Sequence, residues 1–188
     1  VQETPAVQVE DFKDSKYNVT VTDQDTINEV KGIIERRISA AYKDWFTFEL
    51  ADAENGYDYY DLSQSNGKIH IKGNNGVSLA TGLNYYLKYF CNVNISQVGD
   101  QVSMPESIVP VEGTVHKETK FPVRYSYNYC TLSYSMAFWG EEEWRNELDW
   151  LALNGVNVVL DATAQEEVWR RFLTELGYTH QEAKDFIA

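Results

Sequence analysis

Along the first half of the chain the apolar positions follow two different periods. From Thr26 to Tyr42 they recur every three to four residues, at Ile27, Val30, Ile33, Ile34, Ile38 and Ala41, which predicts an amphipathic helix. Asp25 or Thr26 is the expected cap, with Glu29 completing a capping box from Thr26. Before it, residues 17–22 alternate and are rich in β-branched side chains, so they read as a strand. After it, Phe46–Leu50, Tyr57–Ser63 and Lys68–Lys72 read as strands, and Ser65-Asn66-Gly67 joins the last two as a hairpin turn. Gly73-Asn74-Asn75-Gly76 then leads into a second helix over about Val77–Phe90, carrying Leu79, Leu83, Tyr86, Leu87 and Phe90. Residues 92–112 suggest short strands broken at Pro105 and Pro110, and Gly113–Pro122 a linker. This first part predicts a small α+β domain with two helices on one face of a sheet.

The pattern changes after Pro122. Val123–Thr131 alternates and predicts a strand, and Glu141–Asn154 predicts a helix with Trp144, Leu148, Leu151 and Leu153 inward. The acidic run Glu141-Glu142-Glu143 falls in its first turn, where negative charge complements the helix dipole. Val156–Leu160 is a nearly continuous β-branched run, the mark of a strand covered on both faces, as in parallel sheets. A helix over Gln165–Leu176 ends at Gly177, and Thr179 caps a last helix from His180 onward. This β-α-β-α order is the opening of an α/β barrel or a doubly wound sheet. A (β/α)8 barrel needs about 250 residues, and far fewer follow Pro122. The expected fold is therefore a small α+β N-terminal domain followed by the first β/α units of a truncated α/β barrel or doubly wound sheet. The expected division is 1–14 as a tail, 15–122 as the small domain with its linker, and 123–188 as those first β/α units. On this reading the apolar flank of Val156–Leu160 is bare, and the chain either self-associates or stays poorly ordered after about residue 123.

Composition narrows the partners. With 43% hydrophobic and 24% charged residues the chain reads as globular. A net charge of −13 without a local basic patch argues against nucleic acid, and no apolar run is long enough to span a membrane. Neutral hydroxyl-rich ligands fit this balance, and so does the 14% aromatic content. Cys91 and Cys130 are too few for a disulfide scaffold, and His70, His116 and His180 lack metal-ligand spacing, so neither metal nor cofactor is expected. The glycine-rich turn before the second helix has no phosphate-binding motif and reads as structural. Asp52, Glu54, Asp58 and Asp61 read as a solvated acidic loop, since they lack calcium-loop spacing. Val1 in place of an initiator Met suggests a processed N-terminus, and Asn18-Val-Thr20 and Asn94-Ile-Ser96 are sequons that matter only in a eukaryotic secretory host.

Several segments carry a family resemblance: IHIKGNNGVSLATGLNYYLKYFCNV at 69–93, RYSYNYCTLSYSMAFW at 124–139, Glu143-Trp144, ELDWLALNGVN at 147–157 and QEEVWRRFLTELGYT at 165–179. In these the chain resembles the α-N-acetylglucosaminidase family, glycoside hydrolase family 89. The resemblance implies an exo-acting hydrolase that releases terminal α-linked N-acetylglucosamine with retention, built from a small α/β domain, a catalytic (β/α)8 barrel and a helical domain, and it makes 123–188 the first β/α units of that (β/α)8 barrel, truncated. It implies two catalytic glutamates on later barrel strands, an acid/base and a nucleophile. Both would lie beyond Ala188, so no catalytic residue is expected in this chain. The partner it implies is an N-acetylglucosamine-terminated glycan, and the setting secreted, periplasmic or lysosome-like.

By motif position the resemblance makes Asn128, Cys130 and Tyr134 substrate-binding candidates at the C-terminal end of the first barrel strand, where barrel active sites form. An Asn amide offers a donor and an acceptor to a sugar, and a Cys can wall a pocket. The plainer reading pairs Asn128 with backbone and buries Cys130 as a small hydrophobe. The run LDATAQEEVW at 160–169 departs from the family at Asp161 and at Ala164, where the family usually has Gly, so Gln165 and Glu166 are not taken as ligands, and Glu166 is expected to cap the next helix. The alternative to an enzyme fragment is a stand-alone carbohydrate-binding or interaction module.

Overall fold

A computed structural model describes residues 20–160 and 165–187. The first helix, α1 (Asp23–Arg37), starts earlier than its apolar period predicts. Thr22 caps it: the Thr22 hydroxyl accepts from the Asp25 amide at 3.2 Å, and the Asp25 carboxylate accepts from the Thr22 amide at 2.9 Å. The reciprocal box thus uses Thr22 and Asp25, not Thr26 and Glu29; of the stretch 17–22 expected as a strand, Thr20–Thr22 lead into the cap and residues 17–19 lie outside the described ones. The helix also stops earlier. Ile38 leaves helical geometry at φ −126° and ψ −83°, and Ser39 caps a separate 3-10 helix over Ala40–Trp45.

Strands β1 (Phe46–Leu50), β2 (Asp58–Ser65) and β3 (Lys68–Gly73) form where alternation places them. β2 and β3 are antiparallel through a tight turn in which Asn66 (φ 51°) and Gly67 (φ 74°) both adopt the left-handed region such hairpins require. β1 joins β3 in parallel, and its crossover back to the sheet is made through the hairpin itself. Helix α2 (Gly76–Tyr89) is capped by Asn75, whose side chain accepts from the Ser78 amide at 2.9 Å.

Two expectations for residues 92–122 fail. The stretch 92–112 holds no strand, only a single bridge between Asn94 and Gln101. It is a loop that drives Val93, Ile95 and Val111 into the core and is pinned by the Tyr86 hydroxyl, which donates to the Val109 carbonyl and accepts its amide, both at 2.9 Å. Gly113–Pro122 is not a linker. It contains β4 (Thr114–Thr119), an edge strand antiparallel to β2, giving the order β1-β3-β2-β4. Its lone apolar residue, Val115, is what hid it: an edge strand with one weakly covered face has no hydrophobic period to read.

α1 and α2 cover one face of this sheet. Val30, Ile33 and Ile34 from α1 meet Phe46, Leu62, Ile69 and Ile71 from the strands and Leu79, Leu83, Tyr86 and Leu87 from α2. α2 lies so close to the sheet that a Cβ at Gly82 would come within 2.8 Å of the Ile71 side chain and 3.1 Å of Tyr60.

Beyond Pro122, β5 (Tyr125–Ser126) pairs in parallel with β6 (Val158–Val159), in the register Tyr125 to Val158 and Ser126 to Val159. β5 is far shorter than Val123–Thr131 because Tyr127 turns the chain at φ 75°, and the residues after it enter the short helix α3 (Thr131–Tyr134). α4 (Glu141–Leu153) makes the crossover. α5 (Gln165–Glu175) and α6 (His180–Ile187) pack on each other through Leu173 and Ala183, with Thr179 and Glu182 forming the reciprocal cap predicted for the last helix.

α4 is not buried as its apolar period predicts. Leu148 is 48% exposed, while Leu151 and Leu153 are fully enclosed, and the carboxylates Glu147 and Asp149 are buried. The cause is a second interface. α4 lies against α1 and α2, so Leu153 completes the core built by residues 30–111, and its carbonyl accepts from the Asn84 amide at 2.9 Å. Arg36 of α1 donates both arms of its guanidinium to Asp149, at 2.7 and 2.8 Å. Arg124, just ahead of β5, donates to Asp58 at 2.6 Å and to the Gly155 carbonyl.

Candidate functional site

The three residues singled out by motif lie on one turn at the C-terminal end of β5. Asn128 folds back on its own backbone: its Oδ1 accepts from the amides of Cys130 at 2.9 Å and Thr131 at 3.2 Å, and its carbonyl accepts from the Thr131 hydroxyl at 2.7 Å. The amide oxygen therefore closes the turn into α3, as the plainer reading of Asn128 has it. Its Nδ2 donates to nothing among the described residues, and the side chain is exposed. What Asn128 offers a ligand is thus a pair of donors, held in place by an occupied oxygen. Cys130 is a free thiol and only half-buried, so it is not the sealed hydrophobe of the alternative reading. Tyr134 is exposed, as is Tyr129.

The residue that aims this turn is one the sequence did not single out. Tyr127 sits in the left-handed region, a conformation that costs a residue with a Cβ roughly 1–3 kcal/mol unless its surroundings hold it. Its hydroxyl donates to the buried carboxylate of Glu147 on α4. The same carboxylate oxygen accepts the Gln97 side-chain amide at 2.5 Å. Burial pushes the Tyr127 phenol well above the usual tyrosine range, and the hydrogen bond to Glu147 pushes it further, so the phenol stays a donor. A Glu within a helix reads as a solvent position. The signal that could have exposed its role is the spacing of Glu147 with Leu151 and of Asp149 with Leu153, two i, i+4 pairs that aim α4 at two neighbours.

The acidic residues near the first hairpin do not act as one group. Asp58 is held by Asn74 at 2.9 Å, Asn75 at 2.8 Å and Arg124. Burial pushes its carboxyl up, but the hydrogen bonds from Asn74 and Arg124 prevail and hold it below the usual carboxylate range. The expectation of a solvated acidic loop therefore fails for Asp58. Asp61 pairs instead with His116 at 2.7 Å, and Asp52 and Glu54 are exposed. The described residues contain no group of three or more His, Cys, Asp or Glu arranged to hold a metal. In the glycine-rich turn, Asn75 caps α2, Asn74 accepts from the Ser78 hydroxyl and the Tyr59 amide, and both donate to Asp58, which accounts for their side chains. Near the start of α5, Glu167 pairs with Arg170 and Arg171, while the residues that would show whether Glu166 caps this helix lie outside the described ones. Asp161 and Ala164 lie outside the described residues.

A groove of about 380 Å³ lined by Tyr60, Tyr85, Tyr89, Thr81 and Arg124 opens beside Gly155. Arg124 and Gly155 precede β5 and β6, so this groove is at the N-terminal ends of the barrel strands, opposite Asn128.

Residues 28–111 match the Alpha-N-acetylglucosaminidase (NAGLU) N-terminal domain, and residues 124–188 match the Alpha-N-acetylglucosaminidase (NAGLU) tim-barrel domain. The chain belongs to the α-N-acetylglucosaminidase family, glycoside hydrolase family 89. The human Alpha-N-acetylglucosaminidase is 36% identical over 136 residues, which cover 72% of this chain and 18% of the human protein. The family 89 glycoside hydrolase of Clostridium perfringens superposes with a TM-score of 0.82 at 48% identity, over 86% of this chain. It has been solved with two glutamates changed to glutamine and its substrate GlcNAc-alpha-1,4-galactose bound, with PUGNAc, and with 2-acetamido-1,2-dideoxynojirmycin. This chain spans 18% of the human relative and 18–19% of the clostridial chains. It holds the small N-terminal domain of this family and part of its barrel, and β4 falls in the stretch between the two matched regions.

Proposed function

We propose that these residues form the N-terminal domain and opening barrel units of a retaining exo-glycosidase that removes terminal α-linked N-acetylglucosamine from glycans. The observation that carries this reading is the 48% identity and TM-score of 0.82 with an enzyme whose bound substrate is GlcNAc-alpha-1,4-galactose. The turn after β5 fits it. Asn128 presents amide donors at the strand end where a barrel binds its substrate, and they suit a sugar hydroxyl or the carbonyl of an acetamido group. Cys130 walls the same turn with a small polarizable group, and Tyr134 offers an exposed ring at its rim. Bond cleavage needs two carboxyl groups facing the glycosidic bond, one as acid/base and one as nucleophile. No carboxylate beside Asn128 on this turn fills either role, so hydrolysis is assigned to the remainder of the barrel and this chain alone is inactive. An exported, periplasmic or lysosome-like compartment is the setting we infer from sugar-hydrolase kinship; no described helix is long and apolar enough to cross a membrane.

The test uses the protein encoded by the whole reading frame that contains these residues. It should hydrolyse an aryl α-N-acetylglucosaminide and release the α-anomer first, read by proton NMR. Asn128→Ala should lower kcat/KM about 10- to 100-fold, the range for losing a hydrogen bond to a bound polar group. Absence of hydrolysis, or release of the β-anomer, would refute the proposal, and a frame that stops near Ala188 would favour a binding module.

A further inference from the structure

We propose that Tyr127 and Glu147 are positioning residues through which the small domain sets the substrate-contacting turn at Asn128. The inference rests on the reading of Asn128 as a sugar contact. Three observations carry it. Tyr127 is the residue immediately before Asn128, and its backbone is in the left-handed region, so the direction in which the chain leaves β5 depends on whatever holds Tyr127 there. What holds it is a hydrogen bond from its hydroxyl to Glu147, a carboxylate only 5% exposed on α4. Glu147 is in turn held by Gln97, which belongs to the first part of the chain, 50 positions earlier.

The attachment of Gln97 is itself braced. The Ser96 amide donates to Asp100 at 3.0 Å, and Asp100 receives both arms of the Arg37 guanidinium, at 2.8 and 3.0 Å. Arg37 also donates to the Asn146 carbonyl, one residue before Glu147. A continuous set of hydrogen bonds therefore runs from α1 through the 96–100 loop to α4 and on to the turn that fixes Asn128. A buried carboxylate with two donors on one oxygen is sensitive to the loss of either. Without the Tyr127 hydroxyl, nothing in this set keeps Tyr127 in a conformation that its Cβ disfavours. The turn then relaxes, and the two amide bonds that orient Asn128 weaken with it. On this account the small domain is part of the substrate-recognition apparatus, acting through Glu147 and Tyr127 on a turn that lies outside it.

Two measurements separate this inference from the proposed activity. The first is hydrogen exchange on the protein of the whole reading frame. Tyr127→Phe and Glu147→Ala should each speed exchange at the Cys130 and Thr131 amides about tenfold and leave Leu83 and Leu87 of α2 unchanged, since the opening is local. Glu147→Gln, which keeps a carbonyl for the tyrosine hydroxyl, should stay near the unaltered chain. The second is kinetics on the protein of the whole reading frame. The same two substitutions should raise KM for an aryl α-N-acetylglucosaminide about tenfold, with kcat within about twofold. Unchanged exchange at Cys130 and Thr131, or equal acceleration throughout α2, overturns the positioning role whatever the enzyme does. Faster exchange at the turn with an unchanged KM upholds the coupling to the turn but overturns the claim that it serves substrate binding. Kinetics insensitive to Asn128→Ala instead overturn the sugar-contact reading.

Discussion

Leu153 is the sharpest test of how the two parts of this chain are joined. It is the last residue of the first barrel helix, yet it is fully enclosed in a core otherwise supplied by residues 30–111. Leu153→Ala deletes three carbons, worth roughly 2 kcal/mol of transfer free energy at about 0.8 kcal/mol per methylene. The cavity term adds about 1 kcal/mol, because α2 and the sheet are braced from behind and collapse little. A loss of about 3 kcal/mol lowers the melting temperature of a chain this size by about 6–12 °C. Leu148→Ala, on the same helix but 48% exposed, should cost about 1 kcal/mol, since only half of that transfer term is present and no closed cavity forms. Urea unfolding followed by circular dichroism gives the two free energies, and exchange at the α1 and α2 amides locates the damage. If Leu153→Ala costs no more than Leu148→Ala, or leaves α1 and α2 protection intact while loosening only residues after Arg124, the shared core does not exist.

Two further outcomes follow from close packing and from charge. Gly82→Ala places a Cβ 2.8 Å from Ile71 and should destabilise by about 1–3 kcal/mol, the usual cost of overpacking, read by the same urea titration. Asp58 titrates lower in the folded than in the unfolded chain, so the stability it supplies is complete above the unfolded value near about pH 4 and disappears as pH falls through the folded value. Asp58→Asn should therefore be less stable than the unaltered chain at neutral pH, with the gap closing in acid; a gap that is constant with pH would contradict this.

The elements with a strong internal period were legible in the sequence. α2, the three strands β1–β3 and the Asn66-Gly67 hairpin fall within a few residues of where alternation, helical spacing and turn chemistry place them. Two of the misses, β4 and the burial of α4, share a cause: each element is fixed by a neighbour distant in sequence. β4 carries only Val115 as an apolar marker because it borrows its order from β2. α4 has two covered faces, and the second is lined by Asp149 and Glu147, which read as solvent residues until Arg36 and Gln97 are seen against them. α1 ends at Ile38 although its apolar spacing runs on, since the chain must turn into the 3-10 helix that feeds β1.

At the candidate site, motif resemblance supplied Asn128, and the capture of its oxygen by the amides two and three residues on is ordinary Asn chemistry. Tyr127 was beyond reach. A tyrosine is a poor candidate for the left-handed region, and its stabilising partner lies 20 residues later on another element.

The enclosure of Leu153 bears on how the polypeptide is made. A ribosome releases the chain from its N-terminus, and domains generally fold in that order. Here the first hydrophobic interior stays open until the final turn of α4 has emerged, well after the last strand of its own sheet. The nascent protein must therefore wait with a leucine-sized gap beside α2, and nothing synthesised before α4 can fill it.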